Sequence, residues 1–157
     1  MAESLKTRIQ RWMYNFYPVY RRTGAKIVYI DDSWKEIRIA LPLRFWTRNY
    51  YGTISGISMF GSVDPIYMVM LIKLLGPEYV VWDKEATIHF KSPGKTTLTA
   101  RFLIEDRELA LIRKSLTSEK SLIRKYRINL KDAGGEICAT VEKVIHIRKS
   151  RAPRLKA

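Results

Sequence analysis

The first apolar pattern in the chain lies between residues 5 and 16. Five large apolar residues recur there with the spacing of one helix face: Leu5, Ile9, Trp12, Met13 and Phe16. Three basic residues lie off this face: Lys6, Arg8 and Arg11. The spacing predicts an amphipathic helix that Pro18 ends. We expect its apolar face to dock on the protein core, with attachment to a membrane surface as the alternative.

The least polar stretch, from Thr53 to Leu75, predicts a longer helix that Gly76 ends. It is long enough to cross a membrane, and its only charged residues are Asp64 and Lys73. However, Asp64 and Pro65 lie at its centre, and a carboxylate there costs about 2.5 to 3.5 kcal/mol in a bilayer. A helix that is apolar nearly all round is instead expected to be surrounded by protein.

Alternating apolar and polar residues predict about six strands in three hairpins, with a short helix over residues 105–116. The hairpins are predicted at 25–43 with a turn at 31–33, at 85–102 with a turn at 92–95, and at 126–147 with a turn at 132–135. No segment has the pattern of a parallel crossover. The economical arrangement is an α+β fold with an antiparallel β-sheet wrapped around the long central helix.

The composition limits the classes of function. The chain has 157 residues, 46% of them hydrophobic, which predicts one folded domain. Lys and Arg number 29 against 15 Asp and Glu, and the net charge of +14 favours anionic partners. The single cysteine, Cys138, excludes an intramolecular disulfide and a multi-cysteine zinc site, so no metal is expected. Residues 1–30 lack the pattern of a secretory signal, so a cytoplasmic location is expected.

The segment from Asn49 to Asp64 carries a family motif: Asn-Tyr-Tyr-Gly-Thr-Ile-Ser-Gly-Ile-Ser-Met-Phe-Gly-Ser-Val-Asp. It resembles the start of the central helix in hotdog-fold acyl-CoA thioesterases of the phenylacetate-pathway type, where an Asn precedes a His-Gly-Gly turn and an acidic residue follows two helical turns later. The stretch 49–149 is even more similar to an uncharacterised, thioesterase-like branch of the DUF4442 type, with Asp-Pro in the helix and a Val-Trp-Asp-Lys strand at 81–84. We therefore expect an N-terminal helix at 1–18, a hotdog domain at 19–149 and a basic, disordered tail at 150–157.

Two residues depart from the family motif. Ser55 stands where the family has His, and Ile57 stands where it has the second Gly. The oxyanion donor of the family is mainly a backbone N–H at the helix start, a role that Ser55 leaves intact. The replacement of Gly by Ile57 has a larger expected effect, because a β-branched side chain limits how closely a thioester approaches that backbone. Both residues are candidates for substrate binding.

The resemblance implies hydrolysis of acyl-CoA thioesters, with no cofactor besides the coenzyme A of the substrate. The N–H at Gly56 would stabilise the oxyanion, and Asp64 would be the general base or nucleophile. Asn49 would orient the substrate or the attacking water, although Asn is also typical of turns. Eight residues along a helix separate Asp64 from Gly56 by about 12 Å. The family site lies at a dimer interface, which implies a homodimer or a dimer of dimers.

Other roles remain open for several of these residues. Asp64 precedes Pro65, where a kink is expected, and it could instead cap the second half of the helix. His89 and His146 lie in alternating strands without a catalytic partner in sequence, and we expect His89 to be solvated. Cys138 is expected to be a small buried residue.

Residues around the Val-Trp-Asp-Lys strand could also serve the site. Trp82 and Asp83 are candidates for substrate contact. The preferred alternative for Asp83 is an ion pair on the surface with Lys84 or Arg101.

The net positive charge suits the phosphates of coenzyme A. Lys91 and Lys95 flank a predicted turn and are the candidates for binding them, with Arg44 and Arg48 near the helix entrance as further ones. The alternative is a solvated basic surface.

Two other functions compete with hydrolysis. A noncatalytic hotdog protein that binds acyl-CoA or a lipid-like ligand is favoured by the departures at Ser55 and Ile57. A nucleic-acid-binding module is suggested by the charge and by interleaved aromatic residues. No helix-turn-helix, zinc-finger or RRM signature supports that reading, so nucleic acid is not the expected partner.

Overall fold

The computed structural model describes residues 3–150, which form five α-helices and six β-strands. In chain order these are α1 (Leu5–Phe16), α2 (Pro18–Arg22), β1 (Lys26–Ile30), β2 (Glu36–Leu41), α3 (Gly56–Val63), α4 (Ile66–Leu75), β3 (Tyr79–Phe90), β4 (Leu98–Leu103), α5 (Asp106–Ser118), β5 (Ser121–Lys131) and β6 (Ile137–Lys149). The predicted basic tail lies outside the described residues from 151 onward.

The six strands form one antiparallel sheet in the order β1-β2-β4-β5-β6-β3. The predicted hairpins β1–β2 and β5–β6 are confirmed. The prediction of the middle hairpin is wrong, because β3 pairs with β6, whereas β4 pairs with β2 and β5. Turn-forming residues at 92–95 mark a change of chain direction, but they do not select the partner of the following strand. In the described sheet, β1 and β3 are therefore the edge strands.

The helices α3 and α4 form the central helix, with a break at Asp64 and Pro65. Their apolar residues are largely buried, and Val63, Met70 and Leu71 are inaccessible to solvent. The sheet packs around them, since α3 contacts β2 and β6 and α4 contacts β3. The helix from Gly56 to Leu75 is long and apolar enough to cross a membrane, but these contacts make it the core helix of a hotdog fold. The expected α+β hotdog architecture is confirmed.

The helix α1 forms where the sequence predicts it but docks by its opposite face. Its buried residue is Thr7, whereas Leu5 and Trp12 are 70% and 63% exposed. The expectation that the apolar face docks on the core is therefore wrong. The polar face of α1 packs on the sheet instead. There the Asn15 side chain donates a hydrogen bond to the carbonyl oxygen of Ile27 in β1 and accepts one from the N–H of the same residue.

The helix α5 connects β4 to β5 and contacts β5. The strands β4 and β5 share a single paired position, Thr99 with Lys131. The helix forms as predicted and packs its apolar face inward through Leu109, Ile112 and Leu116.

Candidate functional site

The central helix begins at Gly56 with Ser55 as its N-cap. The Ser55 Oγ accepts a hydrogen bond from the Ser58 N–H at 3.3 Å. The first turn of a helix has no acceptor for the N–H groups of Gly56 and Ile57, which lie at the positive end of the helix dipole. These two donors can therefore bind a carbonyl oxygen or an anion. The Ser55 side chain caps the helix, and its contact with substrate stays a prediction.

The loop before the helix is organised by Asn49. Its Oδ1 accepts hydrogen bonds from the N–H groups of Tyr51 and Thr53 at 3.0 and 3.1 Å, and its Nδ2 donates to Thr53 Oγ1 at 2.9 Å. Gly52, in the same loop, has a φ of +79°, a conformation that favours glycine. The Asn49 side chain thus forms the turn, and it places the loop beside the helix N-terminus.

A groove of about 590 Å³ connects this loop to the end of β3. Its walls are formed by Asn49, Tyr51, Thr53, Ile54, Gly56, Met59, Phe90, Lys91, Ser92 and Pro93. This Asn49–Phe90 groove unites three predicted site residues: Asn49, Gly56 and Lys91. The Lys91 side chain is exposed at the groove, where an ammonium group could bind a phosphate.

Close packing at the groove explains why Gly56 begins the helix. A Cβ atom on Gly56 would lie 2.8 Å from Cζ of Phe90. A larger residue at this position would displace the Phe90 ring, which forms a wall of the groove. Phe90 was not among the residues singled out from the sequence.

The Asp64 carboxylate lies at the other end of α3 and is bound to a buried lysine of β6. The Nζ of Lys143 donates to Asp64 Oδ1 at 2.6 Å and lies 3.1 Å from Asp83 Oδ2. The Lys143 side chain is 1% exposed, and its Nζ is 6.0 Å from the centroid of the Phe60 ring. Because α4 begins without a side-chain cap, the expectation that Asp64 caps it is wrong.

The partner of Asp83 also differs from the sequence prediction. Asp83 binds Lys143 rather than Lys84 or Arg101, since it follows Val81 on the inward face of β3 and Arg101 binds Glu36. The Asp83 Oδ1 atom is buried and has no hydrogen-bond partner within residues 3–150. Burial raises the pKa of Asp83, and the charge of Lys143 opposes that rise.

An apolar cavity of about 330 Å³ lies between the N-terminal helices and the break of the central helix. Asp64 and Pro65 form one side of it. The other walls include Tyr14, Tyr17, Tyr20, Ile27, Trp34, Ile37, Ile66, Met68 and Val69. This volume is near the lower end of the range for small-molecule sites. Asp64, whose side chain is 42% exposed, therefore lies between a buried cation and an apolar cavity.

Five predicted site residues line neither of these cavities: Ser55 and Asp83, described above, and Ile57, Trp82 and Lys95. Trp82 stacks on His146 with 4.0 Å between ring centroids. Ile57 is 86% exposed beside the helix start. Lys95 is exposed beyond the groove. Their roles in substrate binding stay predictions.

Two further residues, Cys138 and His89, lie as the sequence predicts. Cys138 is buried as predicted, and burial raises the pKa of its thiol. His89 is exposed, as expected. Burial and nearby cations lower the pKa of His146, whose Nδ1 is buried without a partner in the described part of the chain.

Sequence reasoning missed Lys143, although the chain carries a signal for it. The inward face of β6 includes Val141 and Ile145, and position 143 lies between them with the same alternation. A lysine on the core face of a strand needs an acid partner. The two candidate acids, Asp64 and Asp83, lie 79 and 60 positions earlier, so only the fold brings them together.

Within one chain, the groove and Asp64 are separate. The groove offers helix N–H donors and a cation, and the apolar cavity offers a carboxylate. Among residues 3–150, no group of three or more His, Cys, Asp and Glu side chains is placed to hold a metal ion.

Comparisons with known proteins agree with this architecture. The sequence profile of the family called Domain of unknown function (DUF4442) matches residues 6–147. A Pseudomonas aeruginosa protein of unknown function, described as a "Probable Thioesterase", superposes with a TM-score of 0.82 at 15% identity, over 94% of this chain and 99% of its own. A Haemophilus influenzae thioesterase superposes with a TM-score of 0.69 at 12% identity, over 97% and 95%.

A third solved structure, a mutant thioesterase from Pseudomonas aeruginosa, has a TM-score of 0.67 at 11% identity and covers 96% of this chain and 97% of its own. No curated protein sequence matches the chain. At such identities the likeness establishes the fold.

Proposed function

The chain belongs to the DUF4442 family and has the hotdog fold of solved thioesterases, and we propose that it hydrolyses acyl-CoA thioesters at a site shared by two copies. One observation carries the proposal. The N-terminus of α3, with free donors at Gly56 and Ile57, opens into the Asn49–Phe90 groove, which Lys91 borders.

The proposed reaction uses these groups as follows. The thioester carbonyl oxygen accepts hydrogen bonds from the helix N–H groups, which stabilise the negative charge that develops as water attacks the carbon. Asp64 of the partner subunit accepts the proton of that water. The C–S bond then breaks, the proton passes to the leaving thiolate, and the products are a carboxylic acid and coenzyme A. Lys143 holds the carboxylate of Asp64 in place.

The edge strand β3 supports the proposed assembly. In the described sheet, β3 pairs on one side with β6, and its other side is open to a second copy. Antiparallel pairing of two β3 strands would give a two-fold symmetric dimer with a continuous sheet. The dimer would bring the helix start of each copy toward the partner's acid.

The two cavities suit the two parts of the substrate. The apolar cavity beside Asp64 fits an acyl chain, whose burial contributes about 0.8 kcal/mol for each CH₂ group. Lys91 at the groove fits a phosphate of the coenzyme, with Lys95, Arg44 and Arg48 as further cations.

Hydrolysis of a panel of acyl-CoA thioesters by the wild type and by Asp64→Asn tests the proposal. We expect the variant to lose about 10²- to 10⁴-fold in kcat, because Asn cannot accept the proton of the attacking water. Asp106→Asn is the matched control, since Asp106 is a carboxylate on α5 whose side chain is 80% exposed. Equal activity of wild type and Asp64→Asn would contradict the proposed role of Asp64.

Mixed dimers test whether two copies share the site. Asp64→Asn and Gly56→Val chains are each expected to be inactive alone. Unfolded and refolded together in equal amounts, they should recover about one quarter of wild-type activity, because half of the dimers then contain one intact site of two. No recovery from two correctly folded variants would place the whole site within one chain.

A second candidate function is ligand binding without turnover. It is favoured by Ile57, which stands where the family motif has a second glycine and is 86% exposed, and by Lys143, which already binds Asp64. Calorimetry with a non-hydrolysable acyl-CoA analogue separates the two functions. Tight binding by a wild type that hydrolyses no member of the panel would establish the binding protein.

A further inference from the structure

The apolar face of α1 points away from the protein. We call its residues the α1 stripe: Leu5, Ile9, Trp12, Met13 and Phe16. Each of these side chains is at least half exposed, from 51% for Phe16 to 70% for Leu5. Trp12 and Phe16 contact each other, with 4.2 Å between ring centroids. Exposed apolar residues Tyr17 and Val19 continue the surface into α2. A contiguous apolar surface of this kind marks an interaction site.

The orientation of α1 is fixed by the contacts of its other face. Ser4 caps the helix and Thr7 is buried. Asn15 binds both the N–H and the carbonyl oxygen of Ile27 at the edge of the sheet, at 2.7 and 2.9 Å. Rotation of the helix to bury the stripe would break these bonds. The α1 stripe is thus presented outward by the fold.

The charge around the stripe identifies its partner as anionic. At 100° per residue, Lys6 and Arg8 flank the stripe on its two sides, and both are exposed. The Arg21 guanidinium lies 5.5 Å from the centroid of the Phe16 ring. The α1 sequence contains no acidic residue, and the whole chain carries a net charge of +14. Apolar and aromatic residues flanked by cations on both sides are the pattern of a helix that lies in the surface of an anionic membrane.

A second copy of the chain fits this surface less well. Two chains of +14 charge repel each other, and the cations that flank the stripe would face the same cations of the copy. In addition, α1 packs on β1, which lies at the opposite edge of the sheet from β3. Pairing of two copies along β3 would therefore leave both stripes exposed.

We propose that the α1 stripe inserts into the surface of membranes that contain anionic lipids, with Lys6, Arg8 and Arg21 contacting the headgroups. The helix would lie parallel to the membrane plane. This inference does not depend on the proposed thioesterase activity.

Sedimentation with lipid vesicles tests the inference. We expect the wild type to bind vesicles of phosphatidylcholine with about 30% phosphatidylglycerol, and to bind vesicles of pure phosphatidylcholine at least about tenfold more weakly. Trp12→Glu should lower the affinity for the anionic vesicles at least about tenfold, because it places a carboxylate in the inserted face. Leu111→Glu on α5 is the matched control and should bind like the wild type, since Leu111 is a similarly exposed apolar helix residue outside the stripe.

Three results would overturn the inference. The first is a wild type that does not bind anionic vesicles. The second is vesicle binding that Trp12→Glu leaves unchanged while thermal unfolding shows that the variant is folded. The third is an oligomer that Trp12→Glu dissociates in sedimentation without lipid, which would show that a second copy covers the stripe.

Discussion

Two ion-pair networks of this protein have opposite composition and differ in the burial of their cations. In the first, the buried Lys143 ammonium lies between the carboxylates of Asp64 and Asp83. In the second, the Glu36 carboxylate is bound by two arginines on the outer face of the sheet: Arg38 and Arg101. The Lys143 side chain is 1% exposed, whereas both arginine side chains are more than half exposed.

The difference shows what burial does to a charge. A buried cation depends on its partners for stabilisation, and removing one side of the network leaves uncompensated charge in a poorly solvated part of the protein. Exposed arginines remain solvated with or without Glu36, so each of those pairs contributes little. The Lys143 network therefore fixes the position of Asp64, while the Glu36 network adds small increments to stability.

The largest effect is expected when the buried cation is removed. Lys143→Met should lower the free energy of unfolding by about 3 kcal/mol, because it leaves two neighbouring carboxylates without their counter-ion. Urea unfolding of the variant and the wild type measures the loss. Arg101→Met is the matched control in the exposed network and should cost less than about 1 kcal/mol. Equal losses in the two variants would show that burial does not distinguish the networks.

A smaller effect is expected from Asp83→Asn, and it depends on pH. Burial raises the pKa of Asp83 in the folded state. The stability that this group contributes is fully present below its unfolded pKa of about 3.9 and is lost as pH rises through the folded value. Relative to the wild type, Asp83→Asn should therefore become more stable as pH rises above about 3.9.

Urea unfolding of both proteins between about pH 3 and pH 7 measures this change. The opposite slope would mean that attraction to Lys143 outweighs the burial of Asp83.

The smallest effect is expected from Glu36→Gln. The hydrogen bond from Arg101, with that from Arg38, lowers the pKa of Glu36 from 4.5 to about 2. The contribution of Glu36 to stability is present above its pKa in the unfolded state and is lost as pH falls toward about 2. At neutral pH the free energy of unfolding of the wild type should exceed that of the variant by less than about 1 kcal/mol. The difference should vanish as pH approaches the folded-state pKa of Glu36, about 2.

High salt should further reduce the difference in free energy of unfolding between the wild type and Glu36→Gln, because salt screens the charges of the exposed arginines. Glu119→Gln, at an exposed carboxylate after α5, is the control and should change the free energy of unfolding by less than about 0.5 kcal/mol. A difference that persists in high salt and at low pH would show that Glu36 acts through packing rather than charge.

Local patterns predicted much of the fold. The apolar stretch before Gly76 gave the central helix, although the helix starts at Gly56 rather than Thr53 because the Asn49 loop and the Ser55 cap precede it. The hairpins β1–β2 and β5–β6 followed from alternation and turn residues. These elements depend on neighbours in sequence, where short-range rules apply.

Contacts between residues that are far apart in sequence could not be predicted from local patterns. The strands β3 and β4 follow one another in sequence but lie at different places in the sheet. The candidate site was predicted in part, since Asn49, Gly56 and Lys91 do share a groove. The Lys143 partner of Asp64 was missed because it lies on β6, far along the chain.

The sequence alone determined most of the helices and strands, although not α2, together with the family motif from Asn49 to Asp64 and the positive charge of the chain. The tertiary structure decided which strand pairs with which, which acids share Lys143, and which face of α1 meets solvent. The physical reason is that periodicity specifies an amphipathic face but not the surface that will cover it. For α1, the hydrogen bonds of Asn15 to the edge of β1 and the burial of Thr7 orient the polar face inward, and the apolar face is left exposed.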